Sequence, residues 1–348
     1  MIEELTATKI RHKQWRPNTI RNHQPKINTM LQVLGDKPVN HITKENTKRL
    51  AKLLDLLPPR FARMKEYKDI SGLSPKDLKG RHDKTMDMST QRDYMIFAKQ
   101  VFSYAEEMEY ITKNPVSRIY IPPKKDDPRS RRLQFDDPED LAKIFDEELF
   151  LKWTKKHPSR FWIPLLALYT GCRLEEMASL YCKDVFELKG LWCIEIHNYY
   201  DRQMKTKHAL RSIPLHPILV KQLKFPQYVD RVKAQGNDRV FPDLNIENFK
   251  YSNSFTKRFG YYLRNKVGIT DEKKTFHSFR HNVANHLMNK MVSETLVEEL
   301  NGRSGKTESR RTYFKGFRSD VLYKECILKL DYKVDLFHLK NSKYVIKD

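Results

Sequence analysis

Thr170-Gly171-Cys172-Arg173-Leu174-Glu175-Glu176 is the stretch of this 348-residue chain on which the reading turns. Gly171 marks a turn into a new helix, Arg173 follows it at once, and Glu176 stands three residues on, where it can pair with a basic neighbour. Arginine carries a planar fork of donors, stays charged at any working pH, and is shaped to give two hydrogen bonds to an oxyanion. The same pattern also fits a surface helix arginine paired to an acid, so the neighbouring segments have to decide.

Toward the C-terminus three more short segments follow in order: Lys205-Thr206-Lys207, His277-Ser278-Phe279-Arg280 and Thr312-Tyr313. In a chain with 12 histidines and 66 Lys plus Arg, a single His-x-x-Arg pair arises about once by chance. Order and context therefore carry the weight. Cutting a phosphodiester without a metal requires charge neutralisation on two non-bridging oxygens, a nucleophile, a base for it and an acid for the leaving oxygen. His277 and Arg280 lie three apart beside Phe276, Phe279, Val283 and Leu287, an apolar helical stripe that would leave both polar groups on the adjacent face. A core histidine is the plainer alternative for His277. A metal pair with His281 is disfavoured, because the intervening Ser-Phe-Arg lacks a glutamate and an arginine would repel a dication. A tyrosine phenol, with a pKa near ~10, needs a base or a strong cationic field to act as nucleophile. Tyr313 sits in the basic run from Arg303 to Lys315. Packing remains open for Tyr313, one of 17 tyrosines, and simple solvation for Lys205, with Lys207 competing for its role.

Taken together, TGCRLEE, KTK in a hairpin ending in SIPLHP, HSFRH and a late TYF closely resemble the catalytic domain of tyrosine recombinases, the phage-integrase family, over roughly residues 136 to 330. The helical region before it looks like that family's core-binding domain. The resemblance implies that Arg173 and Arg280 clamp the scissile phosphate and that Lys205 protonates the departing 5′-oxygen. It further implies that His277 serves as acid/base, that Tyr313 forms a 3′-phosphotyrosine, and that Glu176 supports the site. One position departs from the pattern. Where the family carries a Leu-Gly-His-Ser-like stretch, this chain has Leu300-Asn301-Gly302-Arg303-Ser304. Arg303 can donate to a non-bridging oxygen but cannot take a proton near neutral pH. The family also implies that no cofactor or metal is needed, that the partner is double-stranded DNA bound by a homotetramer on paired sites, and that accessory DNA-bending or directionality proteins take part. The expected activity is site-specific integration or excision of a mobile element. A DNA-binding protein of weakened chemistry and topoisomerase-like relaxation are the alternatives.

Composition agrees with a nucleic-acid partner. The 66 Lys plus Arg against 44 Asp plus Glu give a net charge of +22, which calls for a polyanion. No apolar run reaches membrane-spanning length and the start, MIEELTATKI, lacks a signal-peptide core, so a cytoplasmic, nucleoid-associated protein is expected. Cys172, Cys182, Cys193 and Cys326 fit no zinc or CxxC spacing and read as packing residues.

The expected fold is mainly α with a small β-sheet or hairpin: a helical, SAM-like N-terminal domain over 1–125, a linker over 126–135, and the catalytic domain over 136–348. In the first domain, Ile27, Met30, Leu31 and Leu34 precede Gly35, and Leu50, Leu53, Leu54 and Leu57 precede Pro58-Pro59, which predicts two helices with Thr43 capping the second. Residues 58–87 read as a loop or short-helix insertion. A strong amphipathic helix then carries Tyr94, Phe97, Ala98, Val101, Phe102, Ala105 and Met108 on one stripe. The prolines and charges of 121–132 give the linker its composition. Asp136-Asp137-Pro138 opens the next helix with an acidic cap, and Leu191–His197 and Leu210–Leu215 read as strands. The tail from Asp320 to Asp348 carries Val321, Leu322, Ile327, Leu328 and Leu330, for contact with a neighbouring subunit or for folding back on its own domain.

Overall fold

The structure, a computed structural model, describes residues 1–121, 132–197, 210–303 and 317–347. The chain divides into two compact units, Met1–Pro128 and Arg129–Asp348.

The N-terminal unit is helical. Helices α1 (Ile2–Arg11), α2 (Pro17–Leu34), α3 (Lys44–Leu56), the single turn α4 (Pro75–Leu78) and α5 (Met88–Glu107) surround a core built on Leu50, Leu53, Leu54, Phe97, Val101 and Phe102. The two helices expected from the apolar spacing before Gly35 and before Pro58-Pro59 are α2 and α3. Gly35, at φ +83°, ends the first, and Thr43 caps the second in a capping box with Asn46. Helix α1 escaped the sequence reading because a single buried Leu5 gives little periodicity. The 58–87 insertion is more than a surface loop. Phe61, Tyr67, Ile70, Leu78 and Met86 are buried in the same core, spaced too irregularly to announce a helix or a strand. Met108 is not on the buried stripe of α5; it lies just past the helix end and is exposed.

In the C-terminal unit the short α6 (Glu139–Ile144) and α7 (Glu147–Thr154) lead into α8 (Pro158–Thr170), buried at every residue from Phe161 to Thr170. A helix apolar all round belongs in the middle of a unit, and α8 packs against α12 (Ser278–Asn289) there. Packing begins earlier than the linker boundary at 135 suggests. Phe135 is fully buried against Phe279, and Asn282 both donates to its carbonyl and accepts from its amide. A single aromatic residue after a charged run is enough to join the core, while Leu133 near it stays exposed. Nor do Asp136 and Asp137 cap α6. The preceding residue is Pro138, and Asp140 instead accepts from the Asp136 amide.

After α9 (Leu174–Ala178) comes an antiparallel sheet in the order β1 (Val185–Leu188), β2 (Leu191–Ile196), β3 (Arg211–Pro214). β2 and β3 are the two expected strands, with Ile194 opposite Ile213 and Ile196 opposite Arg211. β1 was not foreseen, being only four residues long. Helices α10 (Phe225–Ala234) and α11 (Ser252–Tyr262) precede α12, and α13 (Glu294–Leu300) follows it. A further α-helix, α14 (Ser319–Glu325), opens the tail. Leu322, Ile327 and Leu330 are buried in the core of their own unit, Val321 is half-buried and Leu328 is exposed. Tyr344 donates to the Thr154 and Lys155 carbonyls, so the end of the tail also closes on its own unit. All four cysteines are buried free thiols, as read from their spacing. Among the described residues no helix is long and apolar enough to cross a membrane.

Candidate active site

The site is organised around one turn, Leu300 to Arg303, at the end of α13. The last carbonyls of a helix have no partner within it and carry partial negative charge. Here three successive ones are met by three arginines from distant parts of the chain. Arg211 donates through Nε to Leu300 O at 2.9 Å, Arg280 through Nη2 to Asn301 O, and Arg173 through Nη2 to Gly302 O at 3.2 Å.

Arg173 reaches this turn because α8 stops at Gly171, which takes the left-handed conformation at φ +65°. A Cβ at Gly171 would stand 2.8 Å from Asn301 Oδ1 and 3.1 Å from Val283 Cγ1, so glycine is required both by backbone and by space. The Arg173 amide donates to Glu176 Oε2 at 2.8 Å, and its Nη1 donates to Glu176 Oε1 at 2.7 Å. The Arg173 side chain stays 42% exposed, so its charge remains accessible.

Glu176 is buried, and the basic neighbour it was expected to hold turns out to be two residues. Arg211 Nη2 donates to Oε2 at 2.9 Å, alongside the bond to Arg173. Burial would raise the Glu176 pKa, but the Arg211 charge and hydrogen bond, then Arg173, outweigh it and hold the carboxyl at about 2. Arg211 was not singled out from sequence. The signal was there: it shares the inward face of β3 with the buried Ile213, a position where an unpaired charge would be very costly.

Arg280 is buried on α12 and donates through Nη1 to Gly171 O at 2.9 Å, joining the two arginine-bearing segments. Burial first, then Arg173 and, more weakly, Arg211 and Arg303, lower its pKa to about 9, with Glu176 opposing; it remains a cation at neutral pH. The apolar stripe behind it is as expected, with Phe276, Phe279, Val283 and Leu287 all buried. His277 stands at the N-cap of α12, half-buried, its ring 5.1 Å from that of His281. Burial, followed by the charges of His281, Arg280, Arg132 and Arg173, depresses the His277 pKa to about 4. It is therefore neutral at pH 7 and able to accept a proton. Among the described residues no group of His, Cys, Asp or Glu could hold a metal ion.

Arg303 is exposed at the end of the turn, its amide donating to Glu298 O at 2.9 Å. Its charge is felt by both Arg280 and His281, whose pKa values it helps to lower. Arg173, Glu176, His277, Arg280 and Arg303 are thus brought into one neighbourhood. Lys205, its competitor Lys207, and Tyr313 lie outside the described residues. Behind the site Arg211 and Glu176 offset one another. In front, the charges of Arg173, Arg280 and Arg303 act on a common region in which each cation raises the cost of the next, the setting in which a bound oxyanion is stabilised.

Comparison with known proteins gives consistent relatives. The Phage integrase family profile matches residues 131–316. A tyrosine recombinase of Thermosipho africanus is 24% identical over 311 residues, covering 87% of this chain and 90% of that protein. Among solved structures, the Tn1549 transposon integrase in complex with circular intermediate DNA aligns with a TM-score of 0.54 at 20% identity, over 92% of this chain and 97% of that one. A lambda integrase tetramer bound to a Holliday junction aligns at 0.53 and 18% identity, over 86% and 76%. At these identities the structural likeness speaks for the fold.

Proposed function

This chain belongs to the phage integrase family, and from that premise we propose that it is a site-specific recombinase that cuts and rejoins double-stranded DNA through a 3′-phosphotyrosine on Tyr313, integrating or excising a mobile element. The observation that carries the reading is the convergence of Arg173 and Arg280 on the turn at 300–303, with neutral His277 beside them. Two planar cations fixed on backbone carbonyls are preorganised to share the charge of a phosphoryl group as it becomes five-coordinate. An arriving phosphate also raises the His277 pKa from its depressed value, which lets the imidazole take the phenolic proton. The Tyr313 oxygen then attacks phosphorus, the bond to the 5′-oxygen breaks, and that oxygen receives its proton from Lys205. The phosphodiester is conserved as a tyrosine ester, so a second 5′-hydroxyl can reverse the step without an external energy source. Arg303, electrostatic rather than proton-transferring, supplies the remaining phosphate contact.

Assembly as a homotetramer on paired sites follows the same reading, supported by the tetrameric lambda integrase neighbour. Accessory DNA-bending or directionality proteins would select between integration and excision. The N-terminal unit serves as the core-type DNA-binding domain, and the net charge of +22 supports a wide phosphate-contacting surface. The exposed Arg303, in the place of a histidine, favours one further reading, a DNA-binding protein whose chemistry has weakened.

The test is covalent trapping on nicked suicide DNA carrying the element's own ends. The parent should accumulate a protein–DNA adduct, and Tyr313→Phe should bind with the same affinity and form none. A parent that binds without forming an adduct moves the chain to the weakened reading, and an adduct in the Phe variant removes Tyr313 as nucleophile.

A further inference from the structure

We propose that Arg211 is a positioning residue for DNA cleavage, a buried arginine that sets Arg173 and the 300–303 turn in one register. The proposal rests on the phosphotyrosine reading above and adds a residue that the family resemblance did not assign.

Arg211 is buried, only 3% of its side chain being exposed, so it acts through its neighbours. It touches both things that hold Arg173. One is Glu176, whose Oε2 accepts from Arg211 Nη2 at 2.9 Å and from the Arg173 amide at 2.8 Å. The other is the turn, where Leu300 O accepts from Arg211 Nε at 2.9 Å, two residues before the Gly302 carbonyl that accepts from Arg173. The guanidinium also lies directly beneath Gly302: a Cβ there would stand 2.4 Å from Arg211 Nη1 and 2.7 Å from its Cζ. Gly302 therefore needs no side chain for two reasons, its φ of +59° and the arginine under it. The fork geometry explains the residue type. Nε serves the turn while Nη2 serves the carboxylate, two directions that a lysine's single ammonium cannot span with the same rigidity. Removing the fork leaves Glu176 to pull on Arg173 alone and lets the turn shift, and with it the Arg173 guanidinium and Arg303.

A purely structural role, in which Arg211 only offsets a buried carboxylate, predicts lost stability and nothing else. The experiment therefore measures chemistry in folded protein. In the full chain, Arg211→Lys, Arg211→Met and Gly302→Ala are compared with the parent for thermal midpoint, DNA affinity, and single-turnover adduct formation at saturating suicide DNA well below the lowest midpoint. Losing a hydrogen bond between charged groups commonly costs about 10- to 100-fold in the equilibrium or rate that depends on it. Arg211→Lys should slow adduct formation within that range while affinity stays within about threefold. Gly302→Ala should do the same by displacing the guanidinium, and the double variant with Arg211→Lys should lose less than the product of the two single losses. A 5′-bridging phosphorothiolate, whose leaving group needs no proton, should fail to rescue Arg211→Lys.

Folded Arg211→Lys that cleaves at the parent rate overturns the proposal, and so does rescue by the phosphorothiolate, which would put the defect at Lys205. Multiplying losses in the double variant would separate Gly302 from Arg211 and count against it too. Arg211→Lys and Gly302→Ala decide the matter if Arg211→Met does not fold. A parent that forms no adduct would instead sink the phosphotyrosine reading, an outcome seen before any Arg211 variant is compared.

Discussion

Arg49 in the N-terminal unit and Arg280 in the C-terminal unit do the same local work. Arg49 donates to the carbonyls of Val33, Ser71 and Leu73, tying the irregular 58–87 segment to the end of α2. Arg280 donates to the carbonyls of Gly171 and Asn301, tying the end of α8 to the end of α13. The difference lies in the surrounding charge. Arg280 is buried, its pKa is pushed down by burial and by Arg173, Arg211 and Arg303, and the turn it holds also accepts from Arg173 and Arg211, whereas the carbonyls that Arg49 holds belong to the end of α2 and the 58–87 segment. An arginine bound to carbonyls is thus a staple by default. It becomes part of an anion site only when further cations are gathered on it at a cost that an anion can offset.

The largest effect expected from this contrast is at Arg280. Arg280→Ala should reduce adduct formation by about a hundredfold or more, the usual loss when one preformed charge stabiliser is removed. It should also lower the thermal midpoint, because two carbonyls lose their donor. Unchanged cleavage would make Arg280 a second Arg49.

Next in size is the acid response of the carboxylate that anchors the cluster. Glu176 ionises at about 2 in the folded chain against an ordinary 4.5, so its contribution is complete above 4.5 and is lost as pH falls toward 2. His277 adds to the slope from the opposite chemistry. Held near 4 against 6.5, it stays neutral when folded while the unfolded chain takes up a proton, so stability already declines as pH falls from 6.5 to 4. Denaturant titrations across this range should show Glu176→Gln flattening the lower part of the profile and His277→Asn the upper. A profile unaltered by Glu176→Gln would mean the carboxylate is not held ionised.

Arg49→Ala should cost about 1–3 kcal/mol of stability through three carbonyls left without their charged donor. Its adduct formation at saturating DNA should match the parent, and a slower rate there would erase the contrast between the two arginines.

The smallest effect concerns Arg303, exposed and, among the described residues, without the side-chain bonds to carbonyls that fix the others. Arg303→Ala should slow cleavage by about tenfold with the midpoint unchanged, Arg303→Lys should keep part of the rate, and Arg303→His should be tolerated, since a proton-independent charge contact is worth about that much. If Arg303→Ala cleaves like the parent, the fourth phosphate contact belongs elsewhere in the basic run that follows.

How much of this was legible varied with the kind of signal. Helices α3 and α5 announced themselves through repeated apolar spacing, and α3 also through its cap at Thr43; the Asp87 cap of α5 came only with the structure. The arginines, glutamate and histidine proposed for the site stood out because residue types with few chemical uses stood in a telling order. Local spacing was silent on α1, on β1 and on the buried aromatics of 58–87, where too few residues repeat to form a pattern.

The sequence by itself determined the family, the mainly helical architecture with its small sheet, and the set of chemically capable side chains, because periodicity and residue chemistry are local properties of a chain. Only the tertiary structure decided that Glu176 serves two arginines, that Arg211 lies under Gly302, and that the apolar tail closes on its own unit. Those facts depend on which distant carbonyls and cavities meet which side chains. Arg211 and Leu300 are joined by a hydrogen bond across 89 positions of sequence, and no spacing rule reaches that far.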